Sequence, residues 1–216
     1  LQGNAEQQAS DLLQAMRLFM DTHPKAGIVG GRCEDADGTP QECAFRFPGL
    51  ISEFADQLRL GAFDRLVSGH LVRMGHFEQP VEVEWVSGAV MAIRREVIDS
   101  IGLMDEAYFL YFEETDFTWR ARLAGWQTWH LPQARAVHFV GQLTGVRTAN
   151  ARPKRLPAYW YESRRRYFVL NQGLLRAIAI DLAVIAGNAL WGLRRLLERK
   201  EASDPPHWIR DLVSKG

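Results

Sequence analysis

Strand-like and helix-like segments alternate along the first 140 residues, and this order constrains the fold more than any other feature. Apolar residues at helical spacing predict a helix over 9–22. Short apolar runs predict strands at 26–31 and 42–47, on either side of the turn signal "DADGTP". Residues 81–93 first alternate and then become continuously apolar, which is typical of a strand entering a buried sheet. The alternation predicts an α/β fold with a mixed sheet.

Glycine and proline bound the remaining segments of this part of the chain. The sequence predicts helices in "RREVIDSIG" and "EETDFTWRARLAGW", and strands in "QTWHLP" and "ARAVHFV". Gly102 and Gly125 end the two helices, and Pro132 separates the two strands. Residues 50–75 are poorly periodic, and we expect a helix and a mobile loop there.

The formal net charge of zero conceals a polarity along the chain. Residues 1–150 contain 13 Lys and Arg against 20 Asp and Glu, whereas residues 151–200 contain 11 against 3. An acidic body followed by a basic segment predicts a site that handles cations and an anchor that meets anions. The basic residues lie beside apolar helices rather than among stacking aromatics, so we expect no nucleic-acid binding.

From Pro157 onward the sequence predicts one or two helices with a large apolar surface. The uninterrupted apolar run, residues 182–193, is shorter than the ~20 residues that cross a bilayer. Two interpretations stay open: a helix pair packed on the body, or an interfacial helix whose arginines meet lipid phosphates. These arginines are Arg164, Arg165, Arg166, Arg194 and Arg195.

The cysteines indicate the redox state of the protein, and the first residue indicates how the chain begins. Cys33 and Cys43 flank the turn signal, and we expect a thiol pair rather than a disulfide in a cytosolic protein. Leu1 begins without an initiator methionine or a signal peptide, which predicts a fragment or a processed end.

Residues 108–116, "YFLYFEETD", run from four aromatics into three carboxylates. At the start of a helix, backbone N–H groups and the helix dipole stabilise the anions of Glu113, Glu114 and Asp116. Acidic residues are also common helix starters without any chemical role. The pattern by itself leaves two readings, a catalytic edge and a favourable first turn.

The neighbouring sequence favours the catalytic reading. Ser87 and Gly88 end a predicted strand, where a ligand can approach closely. Asp105 and Glu106 add acids just before the aromatic run. His138 follows another predicted strand and precedes a glycine-bearing loop, a common position for ligating residues.

Residues 83–141 carry one ordered pattern of glycines, acids, aromatics, an arginine and a histidine. Its members are Gly102, Asp105, Glu106, Phe109, Tyr111, Glu113, Glu114, Asp116, Arg120, Gly125, Trp126, Pro132, His138 and Gly141. The pattern resembles the second half of family 2 inverting glycosyltransferases. The nearest group is the bacterial rhamnosyltransferase-like enzymes of cell-wall and exopolysaccharide synthesis. Residues 12–31 are similar to the segment that follows the family's metal-binding motif.

This resemblance implies a GT-A-like fold that transfers a sugar, with inversion, from a nucleotide-diphosphate sugar bound with Mg²⁺ or Mn²⁺. Glu114 matches the family's catalytic base, which takes the proton of the acceptor hydroxyl, and Glu113 and Asp116 complete the catalytic set. Arg120 and Asp116 would support the helix start. His138 matches the family's metal-binding or diphosphate-binding histidine.

The resemblance also implies substrate contacts and a domain division. The substrate-binding residues are Trp85, Ser87, Gly88, Asp105, Glu106 and Arg120. Residues 1–156 would form a partial catalytic domain on the acceptor side, and residues 157–216 a basic helical extension in peripheral contact with a membrane. We expect a glycan or lipid-linked acceptor and a cytoplasmic location on the inner face of the plasma membrane.

The chain departs from the family pattern at three points. Glu114 stands where the family has an aspartate, which is one methylene shorter. Gln2, Gly3 and Asn4 align with an Asn-Pro-Asp metal motif, so Asn4 would offer the metal a neutral oxygen. The amino-terminal strands that hold the nucleotide in the family are missing.

Two other functions compete with the transferase. One is a catalytically incomplete, membrane-associated binding or scaffold module that keeps the acceptor cleft. The other is a hydrolytic metal site that combines the acids with His138. It is the weaker reading, because His130 lies eight residues before His138 and no closer ligand is evident.

Overall fold

The computed structural model describes residues 2–139, 154–201 and 204–215 and shows an α/β protein with a helical carboxy-terminal region. The helices are α1 (Gln2–Thr22), α2 (Leu50–Leu58), α3 (Gly61–Leu66), α4 (Arg95–Ile101), α5 (Glu113–Leu123), α6 (Ala158–Gln172), α7 (Leu174–Glu198) and α8 (Trp208–Lys215). The strands are β1 (Ala26–Glu34), β2 (Ala44–Phe45), β3 (Val81–Val83), β4 (Trp85–Val86), β5 (Met91–Ile93) and β6 (Gln127–Val137).

The described residues group into two compact units, neither of which is continuous in sequence. The first takes in residues 2–47, 73–105 and 114–139, and the second takes in residues 48–72, 106–113, 154–201 and 204–215. The division of the sequence into residues 1–156 and 157–216 stays a prediction.

A four-stranded mixed sheet forms the centre of the first unit, in the order β3-β6-β1-β5. β1 is parallel to β6 and antiparallel to β5, and β3 is antiparallel to β6. β2 and β4 form a separate two-stranded sheet. The predicted α/β fold with a mixed sheet is therefore confirmed.

The central strand β1 is buried on both faces. Ile28 packs in one core with Val97 and Phe117, whereas Val29 packs in a second core with Met16 of α1. Successive residues of a strand point to opposite faces, so the two neighbours reach different cores. This position explains why residues 26–31 of β1 are an unbroken apolar and glycine run.

Two glycines of β1 lie so close to other segments of the protein that there is no room for a side chain. A Cβ atom at Gly30 would lie 2.5 Å from Cβ of Val86, and one at Gly31 would lie 2.5 Å from the carbonyl oxygen of Ala134. Both distances are far shorter than a carbon contact allows. Close packing around β1 therefore requires glycine at both positions.

The single strand predicted over residues 81–93 is wrong, because the chain changes partners twice in that stretch. β3 pairs with β6, β4 pairs with β2, and β5 pairs with β1. Its alternating pattern and its apolar run belong to separate short strands, and residues 87–90 turn the chain between β4 and β5.

The two strands predicted on either side of Pro132 form one strand, β6, so this prediction is also wrong. Leu131 pairs with Gly31 of β1, and the next pair joins Arg135 to Arg32. The register shift between these pairs makes residues 132–134 an irregularity on β6. A proline is tolerated there because it need not donate a ladder hydrogen bond.

The helices follow the sequence more closely. α4 and α5 lie in the segments predicted to be helical, and α1 begins at Gln2 rather than at residue 9. The poorly periodic stretch 50–75 contains α2, α3 and a 3₁₀ turn at Ser68–His70. Residues 158–200, where the sequence predicted one or two helices, form the two helices α6 and α7, and α8 lies beyond that stretch.

A buried arginine joins three helices of the second unit. Arg164 of α6 is 2% exposed. Its guanidinium lies 2.7 Å from Oε2 of Glu53 on α2 and 2.5 Å from Oδ1 of Asp181 on α7. A charge is tolerated in an interior only when it is paired and hydrogen-bonded, so these contacts hold the three helices in one arrangement.

Helix α7 is 25 residues long. By length and composition alone α7 could cross a bilayer. Its uninterrupted apolar run, residues 182–193, is shorter than the ~20 residues that a membrane-spanning helix needs. One side of the helix is packed on the second unit. A Cβ atom at Gly187 would lie 2.8 Å from the carbonyl oxygen of Phe54 on α2, so the two helices are in close contact.

We expect Gly30→Ala to destabilise the protein by about 1–3 kcal/mol, because the added methyl group overpacks the core beside Val86. Urea denaturation measures the change in the free energy of unfolding. Gly61→Ala is the matched control, since a Cβ atom there has no neighbour within 4 Å. Equal stability of the two variants would contradict the close packing of β1.

Candidate active site

The predicted acids lie at the start of α5, which begins at Glu113. Immediately before it, Tyr111 and Phe112 both have left-handed backbone conformations, with φ of 70° and 68°. Left-handed residues other than glycine, asparagine and aspartate are uncommon, and each costs about 1–3 kcal/mol. Such strain is concentrated at functional sites, which directs attention to this helix start. The sequence carries no signal of it.

Glu114 contacts the predicted ligand-approach segment. Its Oε1 accepts a hydrogen bond of 3.2 Å from the backbone N–H of Gly88, and the side chain is half-buried. A Cβ atom on Gly88 would lie 3.2 Å from that same oxygen, so a glycine suits this close approach. Beside it, the Ser87 hydroxyl accepts a hydrogen bond from the N–H of Ala89. The fold thus brings Glu114, Ser87 and Gly88 together from positions 26 residues apart.

Asp116 and Arg120 form an ion pair one helical turn apart. Nε of Arg120 lies 2.8 Å from Oδ2 of Asp116, whose side chain is only 4% exposed. The same guanidinium donates to the carbonyl oxygens of Ile101 and Leu103, at 2.8 and 3.1 Å. The pair therefore connects α5 to the end of α4, and this placement agrees with a supporting role. The catalytic assignment of Asp116 stays a prediction.

The other predicted substrate-binding residues differ in their surroundings. Trp85 donates its Nε1–H to the carbonyl oxygen of Arg46 and stacks on Phe45, with ring centroids 4.2 Å apart. Asp105 is half-buried, and Glu106 is exposed. Their roles in substrate binding stay predictions.

His138 lies at the end of β6 and is held by Gln41. The Gln41 amide donates from Nε2 to Oδ1 of Asp35 and to the carbonyl oxygen of His138, both at 2.7 Å. Its Oε1 then faces Nδ1 of His138 at 3.0 Å. Because an amide oxygen only accepts, Nδ1 carries a proton, and in the neutral imidazole the lone pair therefore lies on Nε2.

Sequence reasoning missed Gln41 and Asp35. They follow β1, whereas His138 follows β6, and the separation between Gln41 and His138 is 97 residues. Parallel strands present their carboxyl ends at one edge of a sheet, where ligands commonly bind. A prediction that β1 and β6 are parallel neighbours would have placed these side chains together.

The metal interpretation rests on His138 and Asn4. Asn4 lies in the first turn of α1, and its side chain lies outside the described part of the chain. Within the described residues, no group of three or more His, Cys, Asp and Glu is placed to hold a metal ion. His138 offers one imidazole nitrogen, which suits a cation that takes its remaining ligands from phosphate oxygens.

His130, the histidine of the hydrolytic reading, lies in the protein interior at 5% exposure. Burial, together with the positive charge of the nearby Arg32 and His76, lowers the pKa of His130 to about 4. This surrounding is that of a core histidine kept neutral at physiological pH.

The two cysteines form the expected thiol pair. Both Cys33 and Cys43 are buried and free, and the backbone N–H of Cys33 lies 3.4 Å from Sγ of Cys43. The hydrogen bond to the Cys43 thiol and burial together raise the pKa of Cys33 well above its usual value.

The first unit also has a groove of 240 Å³ beside β3 and β6. Its lining includes Arg46, Glu82 and Trp126. The groove is separate from the acids at the start of α5, since neither Glu114 nor Asp116 lines it.

Comparison with known proteins identifies similar enzymes for part of the chain. No protein-family model matches it. Two curated proteins, each named N-acetylglucosaminyl-diphospho-decaprenol L-rhamnosyltransferase, are 32% identical to it over 126 residues. They come from Mycobacterium tuberculosis strains CDC 1551 / Oshkosh and ATCC 25618 / H37Rv. The match covers 56% of this chain and 40% of each relative, so the chain spans less than half the length of these relatives.

The likeness to a rhamnosyltransferase-like glycosyltransferase, read from the sequence, is confirmed for this region. The roles of the site residues and the binding of a metal stay predictions, because the likeness does not test them.

We expect Asp116→Asn to lower the free energy of unfolding by about 1–3 kcal/mol, because the buried Asp116 carboxylate makes a charge-assisted hydrogen bond to Arg120 that the amide cannot match. Asp99→Asn is the matched control. Asp99 also pairs with an arginine four residues away at 2.8 Å, but both side chains are largely exposed, so the change should be within about 0.5 kcal/mol. Similar effects in urea denaturation would show that burial does not strengthen the Asp116–Arg120 pair.

Acidification should destabilise the protein through His130. The lowered pKa means that the folded state resists protonation that the unfolded state accepts, so stability is lost as pH falls from about 6.5 towards 4. The loss from this group reaches about 3 kcal/mol below pH 4. His130→Gln should flatten this part of the pH–stability curve, whereas His70→Gln, at an exposed position, should leave it unchanged. A curve unaffected by His130→Gln would refute the assignment.

Proposed function

Taking a glycosyltransferase region as the premise, we propose that the protein transfers a sugar, with inversion, from a nucleotide-diphosphate sugar to a glycan or lipid-linked acceptor. The reaction belongs to cell-wall or exopolysaccharide synthesis. The observation that carries the proposal is the half-buried Glu114 carboxylate at the start of α5, with Oε1 on the N–H of Gly88. The mixed sheet supports a GT-A-like fold for this region.

Glu114 is the base of the proposed reaction. The Gly88 N–H holds Oε1 and orients the carboxylate, and Oε2 is the atom to which we assign the acceptor proton. As that proton leaves, the acceptor oxygen bonds to the anomeric carbon, and the bond from this carbon to the diphosphate breaks on the opposite face. Attack from one face and departure from the other invert the anomeric centre.

Gly88 and the ion pair of α5 position this base. A glycine at residue 88 lets the backbone reach the carboxylate, and a larger residue would meet Oε1 at 3.2 Å. Asp116 and Arg120 hold the helix start against the end of α4. Catalysis depends on such preorganisation, because a displaced base loses its alignment with the hydroxyl.

We assign the contacts with the donor and the acceptor from the family resemblance. Trp85 and Ser87 border the transferred sugar, and the carboxylates of Asp105 and Glu106 accept hydrogen bonds from the sugar hydroxyl groups. Glu113 supports the anionic helix start beside Glu114.

A divalent cation, Mg²⁺ or Mn²⁺, is part of the proposal and would neutralise the leaving diphosphate. His138 would hold it through Nε2, the nitrogen left with a lone pair by the hydrogen bond to Gln41. Asn4 would supply a second, neutral ligand.

We take the class of acceptor from the similar enzymes. Their names specify decaprenol-diphosphate-linked N-acetylglucosamine as the acceptor and rhamnose as the transferred sugar. We extend to this chain only the class, a lipid-linked acceptor. Because such an acceptor resides in a bilayer, the proposal includes a cytoplasmic protein in peripheral contact with the inner face of the plasma membrane.

We expect Glu114→Gln to lower kcat of the complete protein by about 10²–10⁴-fold with little change in KM for the donor. The amide oxygen still accepts the Gly88 N–H, so the fold and donor binding should survive. The measurement is steady-state transfer from a panel of nucleotide-diphosphate sugars with Mn²⁺.

Glu96→Gln is the control, because Glu96 is also an acid in the first turn of a helix, at the exposed start of α4. It should retain normal turnover. Near-normal turnover of Glu114→Gln would remove Glu114 as the base. Absence of metal-dependent donor binding by calorimetry would favour the scaffold function instead.

A further inference from the structure

Helix α7 has two apolar sides, of which only one is covered. The covered side consists of Ala177, Ile180, Val184, Gly187 and Trp191, all buried in the second unit. The opposite side, the outer face of α7, consists of exposed apolar residues at helical spacing: Leu175, Ile178, Leu182, Leu190, Leu193, Leu196 and Leu197. A helix that is apolar all round normally has both sides buried.

The outer face cannot turn inward, because the helix is fixed by its covered side. Gly187 lies against the backbone of α2, with no room for a side chain. Asp181 is held 2.5 Å from the buried Arg164 guanidinium. Rotation of α7 would break this ion pair and remove one of the two carboxylate partners of the buried guanidinium.

The outer face also carries no charge along most of its length. Between Ala177 and Leu193 the one charged residue is Asp181, and its side chain is directed to Arg164. Between Ala177 and Leu193 the outer side of α7 therefore exposes apolar side chains and no charge, over about 25 Å of helix.

Basic residues border this apolar face at both ends. Arg176 is exposed at the start of α7, and Arg199 is exposed just after its end. A long apolar strip between cationic ends matches the boundary of an anionic bilayer, with acyl chains against the leucines and phosphates against the arginines.

We propose that the outer face of α7 is the membrane-docking surface of the protein, with the helix lying parallel to an anionic bilayer. The inference rests on the membrane contact in the proposed function and names the surface that makes it. The parallel orientation follows from the covered side, since a spanning helix would need lipid or apolar protein around its whole circumference.

A second copy of the chain is the other occupant that an apolar helix face can take. Leu175, Leu182 and Leu196 do fall at multiples of seven residues. The exposed strip is wider than a coiled-coil seam, however, because the adjacent residues Leu196 and Leu197 are both exposed and lie about 100° apart around the helix. A bilayer covers so broad a surface, so the geometry favours lipid.

The test is flotation of the purified protein with vesicles of phosphatidylcholine mixed with phosphatidylglycerol, and with vesicles of phosphatidylcholine alone. We expect binding to the anionic vesicles. Leu182→Gln combined with Leu193→Gln should weaken that binding at least about tenfold. Arg176→Gln combined with Arg199→Gln should weaken binding to anionic vesicles and leave the weaker binding to neutral ones unchanged.

The control combines Leu13→Gln with Leu66→Gln. These leucines are 63% and 80% exposed, against 61% and 63% for Leu182 and Leu193, but lie on α1 and α3. The control should bind vesicles normally, and circular dichroism should show that all variants keep their helices. Equal loss in the control would overturn the assignment of the surface.

Two other results would overturn the inference. One is vesicle binding that survives the α7 double variant. The other is an oligomeric wild-type protein whose α7 double variant becomes monomeric in light scattering while it still binds vesicles. That result would make the outer face of α7 an interface between copies of the chain. Flotation needs neither donor nor catalysis, so its failure is distinguishable from failure of sugar transfer, which is measured with a water-soluble acceptor.

Discussion

The parallel pairing of β1 with β6 is the constraint on which the first unit depends. It places the ends of the two strands at one edge, so that Gln41, which follows β1, meets His138, which follows β6. Glycines at 30 and 31 let β1 lie against its neighbours without a steric clash. The pairing therefore determines both the two cores and the orientation of the imidazole.

In the second unit the corresponding constraint is the burial of Arg164. A charge in an interior must be paired, and the pairing directs Asp181 of α7 inward. In the sequence Asp181 interrupts an apolar run and leaves the uninterrupted stretch at 182–193, which is shorter than a bilayer requires. In the structure Asp181 pairs with the buried Arg164 guanidinium, and the outer face of α7 is left without a charge. One ion pair thus links helix packing to the proposed contact with lipid.

Local sequence patterns predicted the elements whose signals lie within a few residues. The acid-rich start and the closing glycine located α5, and the apolar glycine run located β1. Longer-range choices were not readable. Residues 81–93 form three strands because each portion finds a different partner, and Pro132 remains within β6 because a register shift accommodates it. Periodicity reports which face is apolar, and it does not report which strand will cover that face.

The sequence by itself determined the glycosyltransferase likeness and the mixed α/β class. Residue order and spacing suffice for these, since they reflect local chemistry and a linear pattern. Tertiary structure alone decided the hydrogen bonds of Gln41, the left-handed backbone at Tyr111 and Phe112, and the inward direction of Asp181. Each depends on which distant segment supplies the partner, and that choice is made by the packing of the whole unit.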